Sequence, residues 1–269
     1  MDVVRQLKRT AKVAVRAASK GWCSADRITR DLRALGVREG GTLLVHSSLS
    51  SLGFVRGGPK AVIEALRAAI GPQGTLVLPT HSWERSGRGD FTFDMRTTPS
   101  CVGAISETFR TMPGVTRSLH PTHSVAAIGP QAKPLTEGHE LASTPCGEGT
   151  PYARIIDARG QILFLGATLD QNTMFHTHEA VADVAYLMRG GSEAFEVTGT
   201  DGRSRQMQFR RHARGPERRF AATEELLAQQ GILRRGRVAA STSLLVEAAP
   251  LAELMQELLR KDPNYLVAR

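Results

Sequence analysis

The alternation of short apolar runs with helical patterns places the strongest constraint on what this chain can fold into. Four apolar runs have the length of buried strands: Thr42–Val45, Thr75–Leu78, Val125–Ile128 and Gln161–Leu165. Helical or irregular sequence separates them. Strands that alternate with helices form a sheet that helices cover on both faces. The sequence therefore predicts an α/β protein.

Capping residues mark the ends of several predicted helices. Ser24 is an N-cap, and Gly36 ends the helix that follows it. Pro59 opens a second helix, and a third is expected around Cys101–Arg110, before a Pro-Gly pair. Residues 81–98 show no clear period. They are predicted to form a long loop, and such loops in compact domains are more often functional than not.

The character of the sequence changes after a Gly-Gly pair at 190–191. We divide the chain into a main α/β core, 1–190, which includes a basic N-terminal helix over 1–22, and an extension, 191–269, that completes the same domain. The extension is predicted to contain a hairpin, a helix, a strand and a final helix: Phe195–Thr198 with Gln206–Phe209, a helix from Thr223, a strand near Ala239–Val246, and Pro250–Arg260.

Composition narrows the compartment. A chain of 269 residues can bury a sizeable core without disulfides or metals. Its three cysteines, Cys23, Cys101 and Cys146, are widely and irregularly spaced, as expected for reduced thiols. Charges recur through the basic first twenty residues, and no apolar run reaches the length of a membrane span. We therefore expect a cytoplasmic protein with no membrane partner.

Charge narrows the class of partner. Lysine and arginine number 35 against 26 acidic residues, which gives a net charge of +9. Such a balance admits nucleic acid as a partner, but the aromatic content of 5% leaves little material for a base-stacking surface. An acidic small molecule, such as a phosphate-bearing coenzyme, is the more economical partner. We expect no nucleic acid.

Three polar clusters follow or precede predicted elements. His46-Ser47-Ser48 comes directly after a strand, a second cluster spans residues 117–124, and a third spans residues 175–183. In the third, His176 and Glu179 are three residues apart, which puts both side chains on one face of a helix. A carboxylate can then hold the imidazole in the tautomer that a general base needs. A solvated histidine–glutamate pair would have the same spacing.

A metal site is an alternative interpretation of the same residues. Zinc or iron could in principle bind a subset of the histidines and carboxylates in the clusters: His46, His120, His123, His176, His178, Glu179 and Asp183. The sequence has no H-E-x-x-H motif, and His176 and His178 point to different faces of a helix. It also has no P-loop, no G-x-S-x-G elbow and no R/Q-x-x-G-x-G/A loop.

At these clusters the sequence closely resembles the aminoglycoside 3-N-acetyltransferase (antibiotic NAT) family. The resemblance covers roughly residues 25–190 and resumes weakly toward the C-terminus. Several motifs in the same order carry it: Leu44–Leu49, Gly57-Gly58, Gly74–Thr80, Thr98-Pro99-Ser100, Gly103, Glu107–Arg110, Pro113-Gly114, Arg117-Ser118, His120-Pro121, Ser124, Leu165-Gly166-Ala167 and His176-x-x-Glu179-Ala180-Val181-Ala182-Asp183. The resemblance implies a central mixed sheet flanked by helices, unlike the GNAT fold, with a C-terminal hairpin and helix extension.

The resemblance also implies an activity, namely transfer of an acetyl group from acetyl-CoA to an amine in a ternary complex. His176 would take the proton of the attacking amine, Glu179 would orient the imidazole, and His46 would lie near the thioester. No metal is expected. The residues implied in holding the pantetheine and phosphates of coenzyme A are Ser47, Ser48, Val102, Gly103, Arg117 and Ser124.

The implied substrate is the 3-amino group of a 2-deoxystreptamine aminoglycoside. Such polycations require an acidic cleft, and the candidates for its carboxylates are Glu84, Asp94 and Asp183. The basic character of the whole chain stands against this expectation. Three alternatives remain: acetylation of a different amine, a metal-dependent hydrolase, and a protein that binds the ligand without turning it over. The chain is expected to act as a monomer or a homodimer.

Overall fold

A computed structural model describes residues 22–268. The basic helix expected over 1–22 lies outside the described residues except for Trp22, which begins a two-residue strand, β1 (Trp22–Cys23), rather than ending a helix. This strand pairs in parallel with β3 (Phe54–Val55). Within the described residues, no helix has the length and apolar character needed to cross a membrane.

The remaining elements alternate along the described chain. The strands are β2 (Thr42–Ser47), β4 (Thr75–Pro79), β5 (Thr92–Asp94), β6 (Thr116–Arg117), β7 (Val125–Ile128), β8 (Gln161–Leu165), β9 (Glu193–Thr198), β10 (Ser204–Phe209), β11 (Leu233–Val238) and β12 (Ser241–Glu247). The helices are α1 (Ala25–Leu35), α2 (Gly58–Ile70), α3 (Trp83–Gly87), α4 (Ala104–Arg110), α5 (Ala132–Thr136), α6 (Pro151–Asp157), α7 (Met174–Val181), α8 (Glu224–Gln229) and α9 (Ala248–Lys261).

Seven of the described strands form the main sheet, in the order β11-β12-β8-β2-β4-β7-β6. The three central strands, β8, β2 and β4, are parallel to one another. The strands on either side of them run antiparallel to their neighbours. This confirms the central mixed sheet that the sequence analysis expects.

Helices cover both faces of the main sheet. Strand β2 is buried on both sides, so its apolar residues alternate between two cores. Leu43 and Val45 pack with α1, α2 and α4, whereas Leu44 packs with α6, α7 and α9. An apolar run without polar alternation is the pattern of a strand buried on both faces, and all four predicted core strands have it.

The helix ends follow the local chemistry. The Ser24 side chain accepts a hydrogen bond from the Arg27 N–H at 3.2 Å, and Gly36 ends α1 in the left-handed conformation, with φ of 105°. The helix expected at Cys101–Arg110 begins at Ala104, because Gly103 has a φ of 110° that no helix accommodates. The last helix is longer than expected and runs from Ala248 to Lys261.

Three expectations for the loop and the extension need correction. Residues 81–98 contain α3 and β5, so they are not a loop throughout. The helix expected from Thr223 is preceded by a short 3₁₀ turn and begins at Glu224. The single strand near Ala239–Val246 is a hairpin of β11 and β12, whose turn holds Ala239 at a φ of 54°.

The predicted hairpin in the extension is confirmed. β9 and β10 pair antiparallel, with Thr198 opposite Ser204. They form a separate three-stranded sheet with β5, which pairs in parallel with β9. The extension therefore covers the loop region at 81–98 and encloses one side of the site described next.

Candidate active site

The carboxyl ends of the three parallel strands meet at one edge of the main sheet, the usual place for ligand sites in α/β proteins. His46 lies at the end of β2, His81 follows β4, and Ala167 follows β8. Strand β7 runs the other way, with Val125 opposite Pro79, so its first residue reaches the same edge. These ends line a cavity of about 810 Å³, a size suited to a drug-sized ligand.

His176 and Glu179 lie on α7, which forms one wall of this cavity. His176 Nδ1 and Glu179 Oε2 are hydrogen-bonded at 2.6 Å. The carboxylate is fully buried, whereas the imidazole is 21% exposed. Because Nδ1 is held by the carboxylate, Nε2 is the ring nitrogen left for a ligand in the cavity. The i, i+3 contact predicted from the sequence is thus present in the structure.

Glu179 has a second charged neighbour that the sequence analysis did not identify. The guanidinium Nε of Arg218 lies 3.2 Å from Glu179 Oε1, in an ion pair without hydrogen-bond geometry. The same guanidinium stacks over the ring of Tyr186 at 4.9 Å. A buried carboxylate is stabilised by such a cation, so Arg218 keeps Glu179 charged and fixed beside His176.

His46 is buried at the end of β2, where its ring stacks on Phe164 with the ring centres 5.2 Å apart. Burial lowers its pKa from 6.5 to about 3, so the imidazole is neutral at physiological pH. Its Nε2 is buried and has no hydrogen-bond partner among the described residues. A neutral imidazole with a free nitrogen at a cavity wall can donate a hydrogen bond to a ligand oxygen.

Four residues of the expected coenzyme site cluster beside His46. Ser47 and Val102 line the cavity. Ser48 follows Ser47, and its N–H donates to the carbonyl of Leu165 at 3.0 Å, which ties the end of β2 to the end of β8. Gly103, at the start of α4, lies beside the Ser47 carbonyl, and an added Cβ would be in van der Waals contact with that oxygen at 4.0 Å.

Gly166 shows why this edge of the sheet needs a glycine. It lies directly after β8 with a φ of 67°, in the left-handed region that other residues rarely adopt. A Cβ at this position would also lie 2.7 Å from the Ser51 side chain. The chain can therefore turn from β8 into the cavity wall at Ala167 only with glycine here.

Arg117 and Ser124, also expected to bind the coenzyme, lie in an internal network instead. Arg117 is buried and donates hydrogen bonds to the carbonyls of Thr98 at 2.6 Å and Thr80 at 2.7 Å. Its Nε donates to Ser124 Oγ at 3.1 Å, and Ser124 Oγ donates to the Thr80 carbonyl at 2.9 Å. These contacts anchor the loop after β5 to the sheet and leave the guanidinium no free face for a phosphate.

We therefore expect Arg117→Met to lower stability rather than coenzyme affinity. The substitution leaves the carbonyls of Thr80 and Thr98 without their charged donor, so unfolding in urea should show a loss of about 3 kcal/mol or more. Exposed Arg67→Met on α2 is the control and should change stability by less than about 0.5 kcal/mol. Unchanged stability with weakened coenzyme A binding would instead support the phosphate role.

The expected carboxylates are not gathered at the cavity. Glu84 lines it and forms a 3.3 Å ion pair with Arg88. Asp94 accepts the N–H groups of Arg96 and Thr97 and lines a separate, smaller depression. Asp183 is exposed outside the cavity and ends α7 with a φ of 48°. Asp170, which the sequence analysis did not identify, does line the cavity.

Three cavity histidines were missed as site residues or noted only as possible metal ligands. They are His81, His123 and His212. His81 Nε2 and the Tyr152 hydroxyl are hydrogen-bonded at 2.7 Å. His81 carried a signal, since it lies at a strand end in a long segment. His212 carried none, because it lies within a basic segment of the extension.

The cavity is more basic than an aminoglycoside site was expected to be. Four arginines line it: Arg88, Arg189, Arg211 and Arg214. Glu193 forms ion pairs with Arg189 and Arg211, and Glu84 pairs with Arg88. Arg214 is exposed at the rim. Part of the positive charge is therefore neutralised within the protein, and the remainder suits an anionic ligand group.

Comparison with known proteins identifies relatives over nearly the whole chain. The chain is 36% identical to aminoglycoside N(3)-acetyltransferase IV of Salmonella sp, over 90% of this chain and 89% of the relative. A crystal structure of a variant of the acetyltransferase AAC(3)-IVa in complex with a gentamicin superposes with a TM-score of 0.79, at 33% identity and 92% coverage of both chains. AAC-IIIb in binary complex with CoASH gives a TM-score of 0.79 at 26% identity, covering 92% of this chain and 99% of that one.

The family model for aminoglycoside 3-N-acetyltransferases matches residues 44–260, which include every element that contributes to the cavity. The sequence motifs, the mixed sheet and the placement of His176 and Glu179 agree with this match. Together these findings show that the chain belongs to the aminoglycoside 3-N-acetyltransferase family and is an acyltransferase.

Proposed function

We propose that this protein transfers the acetyl group of acetyl-CoA to the 3-amino group of a 2-deoxystreptamine aminoglycoside, by direct attack within a ternary complex. The observation that carries the proposal is the 2.6 Å His176–Glu179 hydrogen bond at the wall of the cavity. It is supported by relatives that bind a gentamicin and CoASH.

His176 acts as the general base in this proposal. The amine nitrogen forms a bond to the thioester carbon, and His176 Nε2 takes the proton that the nitrogen must lose. The carbon–sulfur bond then breaks, and coenzyme A leaves as the thiolate, which is protonated in turn. Glu179 faces the imidazolium formed in this step and stabilises its charge, as a carboxylate does in other histidine-based sites.

His46 supplies the electrophilic side of the reaction. Charge develops on the thioester oxygen as the amine attacks, and a hydrogen-bond donor already aimed at that oxygen lowers the barrier. The buried, unpartnered Nε2 of His46 is suited to this role when it carries the proton. The depressed pKa of His46 keeps the ring neutral, so it donates a hydrogen bond without acting as an acid.

The charges of the cavity wall divide between the two substrates. Arg214 and the other rim arginines are the groups we assign to the coenzyme phosphates, in place of Arg117. Glu84 and Asp170 are the carboxylates we assign to the ammonium groups of the aminoglycoside. With two carboxylates in the lining, we expect substrates with fewer ammonium groups to be preferred over the most highly charged ones.

The activity is tested by release of coenzyme A thiol from acetyl-CoA across a panel of aminoglycosides. We expect thiol release that depends on the aminoglycoside, and a product whose 3-amino group is acetylated, identified by mass spectrometry and NMR. A matched aminoglycoside that is already acetylated at this amine is the control and should give none. Thiol release that is independent of every aminoglycoside would contradict the proposed substrate.

Glu179→Gln tests the role of the carboxylate. The substitution keeps the shape of the side chain and removes the charge that faces the imidazolium and Arg218. We expect kcat to fall, though less than on loss of His176 itself. Combining it with His176→Ala should add little, because partners that act as a unit are not additive. Full additivity in the double variant would show that the two residues act independently.

A further inference from the structure

A cluster of three metal-ligand side chains lies beside the proposed catalytic pair. His123 precedes β7, Cys146 lies in the segment between α5 and α6, and His212 follows β10. One ligand atom from each lies within 4.8 Å of the other two. We propose that these three residues bind one divalent transition-metal ion of the zinc class, a site that goes beyond the proposed acetyl transfer.

The free ring nitrogens are arranged for such an ion. His123 Nδ1 is hydrogen-bonded to the Thr122 hydroxyl at 2.8 Å, which leaves Nε2 as the ligand atom. His212 Nε2 is buried and has no hydrogen-bond partner within residues 22–268. An unpaired buried nitrogen is costly, and a metal–nitrogen bond would satisfy it. Thr122 holds the His123 ring, as outer partners do for metal-bound histidines.

The third ligand decides the class of metal. Cys146 is fully buried and is a free thiol. Two imidazoles and a thiolate are the donor set of zinc and cobalt, whereas magnesium and calcium take oxygen donors. Burial, with a smaller effect of nearby Glu179, raises the pKa of Cys146. The metal must therefore displace a proton from this thiol, and its charge then compensates that of the thiolate.

Local charges and access are consistent with a bound cation. The carboxylate of Glu179 supplies a second negative charge near Cys146, while the nearby Arg218 is neutralised by its pair with Glu179. His123 and His212 both line the 810 Å³ cavity, so an ion can enter from it. Three protein ligands leave a fourth position for water or a substrate atom. The ion would also fix His212, whose ring centre lies 4.6 Å from that of His176.

Titration of the metal-stripped full chain with Co²⁺ tests this inference without any substrate. We expect one equivalent to produce the visible bands of tetrahedral cobalt and a thiolate-to-cobalt charge-transfer band. Cys146→Ala should abolish the charge-transfer band. His212→Ala should weaken binding by at least about 10-fold, the lower range for loss of even an outer partner of a metal site. Zn²⁺ should displace Co²⁺ and raise the melting temperature of the wild type.

Cys23→Ala and Cys101→Ala are the matched controls and should keep the band. The inference is overturned if the folded wild type gives no charge-transfer band in a large excess of Co²⁺, or if Cys146→Ala keeps it. Should Cys146→Ala fail to fold, an unchanged Co²⁺ affinity in His212→Ala would equally overturn the site. Because acetyl-CoA is absent, neither result depends on the proposed acetyltransferase mechanism.

Discussion

Replacing His176 by alanine is expected to lower turnover by about 10²–10⁴-fold or more while leaving the affinity for acetyl-CoA nearly unchanged. This is the range that a positioned general base contributes. The imidazole is held at Nδ1 by Glu179 and presents its other nitrogen to the cavity, so its loss removes the proton acceptor. Acetyl-CoA binding depends on other walls of the cavity and should survive.

Steady-state thiol release gives kcat, and equilibrium titration with acetyl-CoA gives the affinity. Val181→Ala, an exposed position on the same helix, is the control and should retain wild-type turnover and melting temperature. A His176→Ala variant that turns over near the wild-type rate would refute the base assignment. A variant that loses acetyl-CoA affinity in the same proportion as turnover would assign His176 to binding instead.

Acid is expected to destabilise this protein steeply below neutral pH, because many of its histidines are buried and neutral. Burial lowers the pKa of His46, His81 and His178 from 6.5 to about 3, and that of His139 to about 4. In the unfolded chain each imidazole takes up a proton near its ordinary pKa. In the folded chain it does so only near the lowered value. The stability is thus complete above pH 6.5 and is lost as the pH falls from there toward 3.

Each such histidine should cost about 1.4 kcal/mol per pH unit within this window. Urea unfolding at several pH values, with chelator present, measures the slope. His178→Leu removes one buried imidazole away from the cavity and should make the slope shallower by about that amount, whatever its effect on stability at neutral pH. A wild-type stability that does not change between neutral pH and about pH 5 would contradict the prediction.

Local pattern was sufficient for most elements and for the catalytic pair. The core strands at β2, β4, β7 and β8 were predicted to within two residues, because a strand buried on both faces is apolar throughout. The ends of α1 followed from Ser24 and Gly36. His176 and Glu179 meet because residues three apart on a helix are neighbours wherever that helix lies.

The errors arose where a local signal depended on its surroundings. Arg117 lies within a motif shared with the family, and a cationic side chain there suggested a phosphate partner. Its position on an edge strand beside Thr80 and the loop after β5 turns it inward, so it binds carbonyls instead. Asp94 and Asp183 are acidic in sequence near the site, yet their backbones direct them to turns outside the cavity.

The sequence by itself therefore determined the fold class, the main strands, the family and the His176–Glu179 pair, since these follow from periodicity, capping and contiguous motifs. Only the tertiary structure decided that His123, Cys146 and His212 converge, that Arg218 faces Glu179, and that the arginines of the extension line the cavity. Those contacts join segments far apart in the chain. Their meeting depends on the order in which strands pair across the sheet, and a local pattern of side chains carries no information about that order.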